Sequence, residues 1–309
     1  MKQEQSSTTA EGMALVRAIE ASRPPDKRIS YDPIARALVN PISVFLSKLV
    51  IDSGIYDRFF APGVGAIEFI TARERYIDDF LKTCLSEGLD QVVILGAGFD
   101  TRAYRIAAIE KTRVFEVDHP ATQEVKLKRL KRVIDPLPGH VTFIPVDFNT
   151  QSLAERLFTN GYDERGKTLF IWQGVIMYLT PEGVDSTLAF IANHSGSGSA
   201  VIFDYFYNET LRDMKMKTAR RITRVIGERL IFGIDEGQIE PFLTWRGLQD
   251  VRNADAEELS RLYLTGPNAG RVIGAGVAIA SARVIDDSFD DNPGERRRTS
   301  ANDRFEKTA

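Results

Sequence analysis

Five short runs rich in β-branched, aromatic and aliphatic residues, at 91–95, 113–117, 141–146, 168–172 and 200–206, alternate with stretches whose apolar positions recur at helical spacing. Strands that alternate with helices in this way belong to crossover units, and such units build a mostly parallel sheet with helices on both faces. The pattern predicts a doubly wound α/β fold. Beyond the fifth run the spacing is helical through Glu240 and Asp255. Two further β-like runs, 261–264 and 271–284, flank Thr265-Gly266-Pro267-Asn268-Ala269-Gly270 and are expected to form a C-terminal antiparallel hairpin, bringing the sheet to seven strands.

Ninety residues precede the first run, more than the sheet itself requires, and they are expected to form an N-terminal helical cap over a ligand. Helical periodicity begins near Met13, Val16 and Ile19. The expected organisation is a flexible tail over 1–12, the cap over 13–90, and a core over 91–285 carrying a lid insertion around 205–243. A disordered tail over 286–309 would follow, where Asp286, Asp287, Asp290 and Asp291 lead into Arg296-Arg297-Arg298. In the expected lid, Arg220, Arg221 and Arg224 suit a solvated face better than an anion site.

Composition narrows the chemistry. With 40 basic and 43 acidic residues the net charge is −3, which offers no basic surplus for nucleic acid or an anionic membrane, so a small-molecule partner is favoured. One cysteine, Cys84, lies on an apolar helical stripe and reads as packing. His119, His140 and His194 show no metal-ligand spacing, and no metal is expected. Neither a transmembrane run nor an apolar leader stretch is visible, so the cytoplasm is the expected location.

The first strand runs directly into Gly96-Ala97-Gly98, where backbone can approach a ligand without side-chain obstruction. A dinucleotide fingerprint would want a third glycine where Thr101 stands, and Asp100 would face a pyrophosphate unfavourably. S-adenosylmethionine has no phosphate and carries an ammonium and a sulfonium, so acidic surroundings suit it. Asp118, at the end of the second run, is placed for ribose hydroxyls, a role that fits NAD and S-adenosylmethionine equally. Asp147 and Phe148 close the third run, where an acidic group beside an apolar one can take adenine. Arg73 falls on the stripe of Ile70, Ile77, Leu81 and Cys84, and a core-facing arginine needs an anion. That anion is either the methionine carboxylate of the cofactor or an internal partner such as Asp100 or Asp118.

The segments Ala72-Arg73-Glu74-Arg75, Leu95-Gly96-Ala97-Gly98-Phe99-Asp100-Thr101-Arg102 and Phe115-Glu116-Val117-Asp118-His119-Pro120 resemble the leucine carboxyl methyltransferase family over roughly residues 13–284. The resemblance implies an S-adenosylmethionine-dependent O-methyltransferase. Arg73 would hold the methionine carboxylate, Gly96 and Gly98 would line the methionine moiety, Asp118 would hold ribose, and Asp147 with the Phe148 backbone would hold adenine. Where the family commonly carries Glu after the fourth strand, this chain has Gln173, which can accept from the ammonium without adding charge. On that basis Gln173→Glu is expected to tighten cofactor binding. Tyr178 is a candidate substrate contact, with a supporting role in the core as the alternative.

A carboxylate, or an acidic hydroxyl, of a small molecule is the expected acceptor, a protein C-terminus the less favoured one. No catalytic base is assigned, because a carboxylate is already ionised at neutral pH. Two other classes remain open to this pattern: an NAD-dependent oxidoreductase reading the same turn, and a non-catalytic cofactor-fold sensor.

Overall fold

A computed structural model describes residues 3–52, 65–147, 151–213 and 230–284. Seven strands form one sheet: β1 (Gln91–Leu95), β2 (Arg113–Asp118), β3 (Val141–Pro145), β4 (Thr168–Trp172), β5 (Ala200–Phe206), β6 (Leu248–Asp255) and β7 (Val277–Val284). Their order is β3-β2-β1-β4-β5-β7-β6. The first five pair in parallel, while β7 runs antiparallel to both β5 and β6. All five expected parallel strands are present: β1, β2, β4 and β5 are buried on both faces with nearly continuous apolar runs, and β3, at the sheet edge, is partly buried. Val93, Leu95 and Phe115 pack into one core layer, and Val92, Ile94 and Val114 into the other.

The helices that bear on the site are α1 (Gln3–Ala21), α2 (Pro41–Asp52), α3 (Ala66–Ser86), the single turn α4 (Arg102–Arg105), α5 (Pro120–Leu130), α6 (Leu153–Thr159) and α7 (Pro181–Asn193). Thr180 caps α7, accepting from the Gly183 N–H at 3.2 Å, with Pro181 in the first turn. Cys84 is buried in the core layer beneath α3.

Two expectations need correction. Helix α1 begins at Gln3, well ahead of Met13. Its first residues, 3–9, carry no apolar side chain, and a periodicity of apolar positions cannot register such turns. The antiparallel partner of β7 is Leu248–Asp255, not 261–264, which instead ends a helix, Ala256–Tyr263. Asp255 caps that helix, accepting from the Glu258 N–H at 2.9 Å. The C-terminal antiparallel pair therefore stands, but with a helix between its strands in place of a tight turn.

Of the expected lid over 205–243, Tyr205, Tyr207, Phe232, Ile234, Ile239 and Leu243 belong to the main core. Arg220, Arg221 and Arg224, and the tail over 286–309, lie outside the described residues. Among the described residues no helix is long and apolar enough to cross a membrane.

Candidate active site

The sheet reverses its winding between β1 and β4, since β2 and β3 lie to one side of β1 and β4 and β5 to the other. In open α/β sheets the crevice at the carboxyl ends of the strands at such a point is where ligands bind. A cavity of about 660 Å³ opens there, lined by Arg73, Gly96, Gly98, Asp118, Asp147, Gln173 and Tyr178 among others. These are the expected site residues apart from Phe148, which lies outside the described residues.

Glycine is needed where the backbone crosses the mouth of β1. Gly96 has φ +66°, and a Cβ there would stand 2.3 Å from Val175 Cγ2. Gly98, at φ +44°, donates its N–H to Asp118 Oδ2, while the His119 N–H donates to Asp118 Oδ1 at 2.5 Å. Asp118 is thus pinned at the end of β2 with both oxygens oriented by backbone. Burial pushes its carboxyl up from the ordinary aspartate value, and those two N–H groups pull it back in part. The His119 ring caps α5, its Nδ1 accepting from the Ala121 N–H at 3.3 Å.

Arg73 is buried, and its internal partner is neither Asp100 nor Asp118. Its Nη1 donates to Asp204 Oδ2 at 2.6 Å, and Asp204 Oδ1 accepts from the Gly174 N–H at 2.6 Å. Asp204 is an acidic residue inside the apolar run of β5, a signal visible in the sequence. The Arg73 Nε remains buried without a hydrogen-bond partner. Across the same cavity, Gln173 donates through Nε2 to Glu74 Oε1 at 2.6 Å, and its Oε1 is likewise buried without a partner.

Behind the glycine turn lies a set of buried ions. Glu74 and Asp78, one helical turn apart on α3, both reach Arg102, at 2.7 and 2.8 Å, and Asp100 pairs with the same guanidinium. Arg105 takes the other oxygen of Asp78 at 2.6 Å. Burial raises the Asp100 carboxyl most, but the Arg102 charge, joined by Lys126, the Arg102 N–H and Arg17, overcomes it and holds the group at about 2. Glu74 is lowered on the same balance, burial opposed by Arg102 and then Arg17. By contrast the Arg75–Asp79 pair, at 2.7 Å, is exposed at an i, i+4 spacing, as the sequence suggests.

Sequence reasoning missed the contribution of α1. Thr9, Ala10, Met13 and Arg17 line the cavity from one face of that helix. Arg17 ties it down through Asp32 at 3.0 Å and the Phe99 carbonyl. The i, i+4 pair Met13 and Arg17 could have indicated a face turned inward.

Fold and cavity define a doubly wound α/β protein with a cavity at the switch point, beside a buried ionic network. Residues 10–192 match the model of the family Leucine carboxyl methyltransferase, and the chain belongs to that family. It is similar to "Putative S-adenosyl-L-methionine-dependent methyltransferase YktD" of Bacillus subtilis (strain 168), with 34% identity over 201 residues, 63% of this chain and 65% of that protein. It is also similar to "Putative S-adenosyl-L-methionine-dependent methyltransferase SCO7813" of Streptomyces coelicolor, with 34% identity over 193 residues, 62% of this chain and 66% of that protein. A longer match, 27% identical over 250 residues, joins it to a "Putative S-adenosyl-L-methionine-dependent methyltransferase" of Mycobacterium avium (strain 104), covering 77% of this chain and 82% of that one. The chain spans just under two thirds of the length of the first two relatives.

Proposed function

We propose that this chain is an S-adenosylmethionine-dependent O-methyltransferase whose acceptor is a carboxylate of a small molecule. The observation that carries the cofactor reading is a complementary pair of orphaned groups. Arg73 Nε is a buried donor without an acceptor, Gln173 Oε1 a buried acceptor without a donor, and both residues line one cavity. Buried groups of this kind are costly unless a partner arrives. An α-amino acid group offers the reverse pair, a carboxylate for Arg73 and an ammonium for Gln173.

The remaining residues fit the rest of such a cofactor. Asp118 would take the ribose hydroxyls and Asp147, with Phe148, the adenine edge. Gly96 and Gly98 would let backbone run beside the methionine moiety. The cavity volume of about 660 Å³ lies within the range of small-molecule sites, roughly 300–1,000 Å³. Asp100, Asp118 and Asp147 line the cavity and suit a ligand with cationic centres better than a pyrophosphate. Thr101, at the place of the third glycine of a dinucleotide turn, donates its hydroxyl to Asp32 at 2.7 Å.

When bound, the cofactor supplies a methyl group already activated by its sulfonium. The chain then has to hold the acceptor oxygen in line and keep water away. Tyr178, half-buried at the cavity wall, and α1, which covers the opening with Ala10 and Met13, are placed to do this. A carboxylate acceptor needs no general base. Among the described histidines only His119 lines the cavity. Its Nδ1 accepts a backbone N–H, so a neutral ring carries its proton on Nε2 and has no basic nitrogen to offer there.

Calorimetry with S-adenosylmethionine, S-adenosylhomocysteine and NADH tests the cofactor, with binding of the first two and none of the third expected. Binding of NADH alone would overturn the proposal. A labelled-methyl transfer screen over small acids, phenols and protein C-termini then tests the acceptor. Transfer to small acids is expected, with a rate nearly flat from about pH 6 to 8. A steep rise through neutrality would point to a hydroxyl acceptor with a base, and cofactor binding without any transfer to a sensor.

A further inference from the structure

The Gln173 amide is held at one end only, and the group that holds it is a buried carboxylate. Glu74 Oε1 lies 2.6 Å from Gln173 Nε2, while Glu74 Oε2 accepts from Arg102 at 2.7 Å. An ionised carboxylate can only accept, so the amide nitrogen must face it. The reversed amide would set two acceptors against each other. That leaves Oε1 as the amide end turned away from Glu74, on a residue that lines the cavity, whereas Glu74 itself does not line it. Glu74 is in turn oriented by two arginines, since Arg17 Nη1 stands 3.6 Å from the same Oε1.

We propose that Glu74 is a positioning residue for the cofactor's amino group: by gripping the Gln173 amide through its nitrogen, it presents Gln173 Oε1 to the ammonium. This rests on the reading of the cavity as an S-adenosylmethionine site. The carboxylate that the family resemblance leads one to expect at position 173 is supplied here one layer further back, at position 74, and reaches the ligand through an amide. The expectation that Gln173→Glu tightens binding is thereby reversed. With Glu74 in place, a second carboxylate at 173 would stand within hydrogen-bond distance of the first, and the two cannot both stay ionised without mutual cost.

The test compares wild type, Gln173→Glu, Glu74→Gln and the exchange carrying both substitutions. Each is measured for thermal stability without ligand and for affinity toward S-adenosylmethionine and 5′-methylthioadenosine, which lacks the amino acid group. Glu74→Gln frees the 173 amide to turn, which is expected to weaken S-adenosylmethionine binding about tenfold, the loss of one hydrogen bond to a charged group. Gln173→Glu is expected to weaken it at least as much and to lower the melting temperature. In the exchange the Gln at 74 can donate to the Glu at 173. Both melting temperature and affinity should then recover most of the loss. Affinity for 5′-methylthioadenosine should move less than about threefold throughout, because the amino group is the contact at issue.

Tighter or unchanged S-adenosylmethionine binding by Gln173→Glu would overturn the proposal. So would an exchange that recovers nothing, or a parallel loss of 5′-methylthioadenosine, which would mark Glu74 as a general support of the cavity. Wild-type protein that shows the thermal pattern but binds no S-adenosylmethionine would overturn the functional reading, and with it the presentation of Oε1 to an ammonium. A thermal pattern without the recovery, alongside normal wild-type binding, would overturn the Glu74 role alone.

Discussion

Between α3 and the glycine turn, Arg102 is fully buried against Glu74, Asp78 and Asp100, whereas β5 and β7 meet with Phe203 and Ala280 in one apolar layer and Ile202 and Ile279 in the other. The two regions are equally deep and are held by different forces. Ions taken out of water recover their desolvation only when every partner is in place, so the first region is demanding of geometry and contributes little net stability. Apolar contacts tolerate small shifts and add stability in proportion to area. The ionic region adjoins the cavity and fixes the directions of Glu74 and Asp100. The apolar region fixes the sheet on which Asp204 stands behind Arg73.

The sharpest way to break this contrast is Arg102→Met. Its removal takes the shared guanidinium from Glu74, Asp78 and Asp100, of which Asp78 keeps Arg105, and a single uncompensated buried charge already costs ~3–5 kcal/mol, a large share of the ~5–15 kcal/mol that holds a typical domain. Loss of at least that much is expected in a denaturant melt, with cofactor binding abolished. If Arg102→Met melts within about 1 kcal/mol of wild type, the ionic region is not a unit.

In the apolar region, Ile279→Ala should cost about 3 kcal/mol by cavity formation. Measured on folded protein, its dissociation constant for S-adenosylmethionine should stay within about twofold of wild type, since Ile279 does not line the cavity and reaches it only through Asp204, its partner across the sheet. A large loss of affinity would show that the two regions are coupled more tightly than their separation suggests.

Arg73→Lys probes where the regions meet. A lysine can keep a contact to Asp204 but cannot offer a second donor in the guanidinium plane. Affinity for S-adenosylmethionine is expected to fall ~10–100-fold, the worth of a hydrogen bond to a charged group, with a small change in melting temperature. Equal affinity for S-adenosylmethionine and 5′-methylthioadenosine in this variant would support the assignment of Arg73 to the carboxylate. Unchanged affinity for S-adenosylmethionine would refute it.

The same contrast explains what the sequence disclosed. The inner parallel strands were legible because burial on both faces writes a nearly unbroken apolar run. Strand β6 was not: it is the edge of the sheet, and Gln249, Asp250, Arg252 and Asn253 give it the polar look of a helix or loop. In the site, Gly96, Gly98, Asp118 and Asp147 were legible because a ligand at the switch point draws on strand ends in a regular rhythm. Glu74, Asp204 and the inward face of α1 leave at most a local trace in the sequence, because what each does is set by a residue far away in it: Gln173, Arg73 and Phe99. Gln173 could be seen as a departure from the family pattern, but the carboxylate standing behind it could not.

The smallest expected effect lies in acid. Asp100 in the folded chain is held at about 2, below the ordinary aspartate value of about 3.8, so between those values the unfolded chain binds more protons than the folded one. Its contribution is therefore complete above about pH 4 and is lost as the pH falls toward about 2. A stability curve should carry a falling limb in that window, and Asp100→Asn should flatten the limb while lowering stability at neutral pH. Melts at pH 2.5, 3.5, 5 and 7 would show this. A limb that persists unchanged in Asp100→Asn would assign the acid sensitivity to other carboxylates and remove Asp100 from the set that answers Arg102.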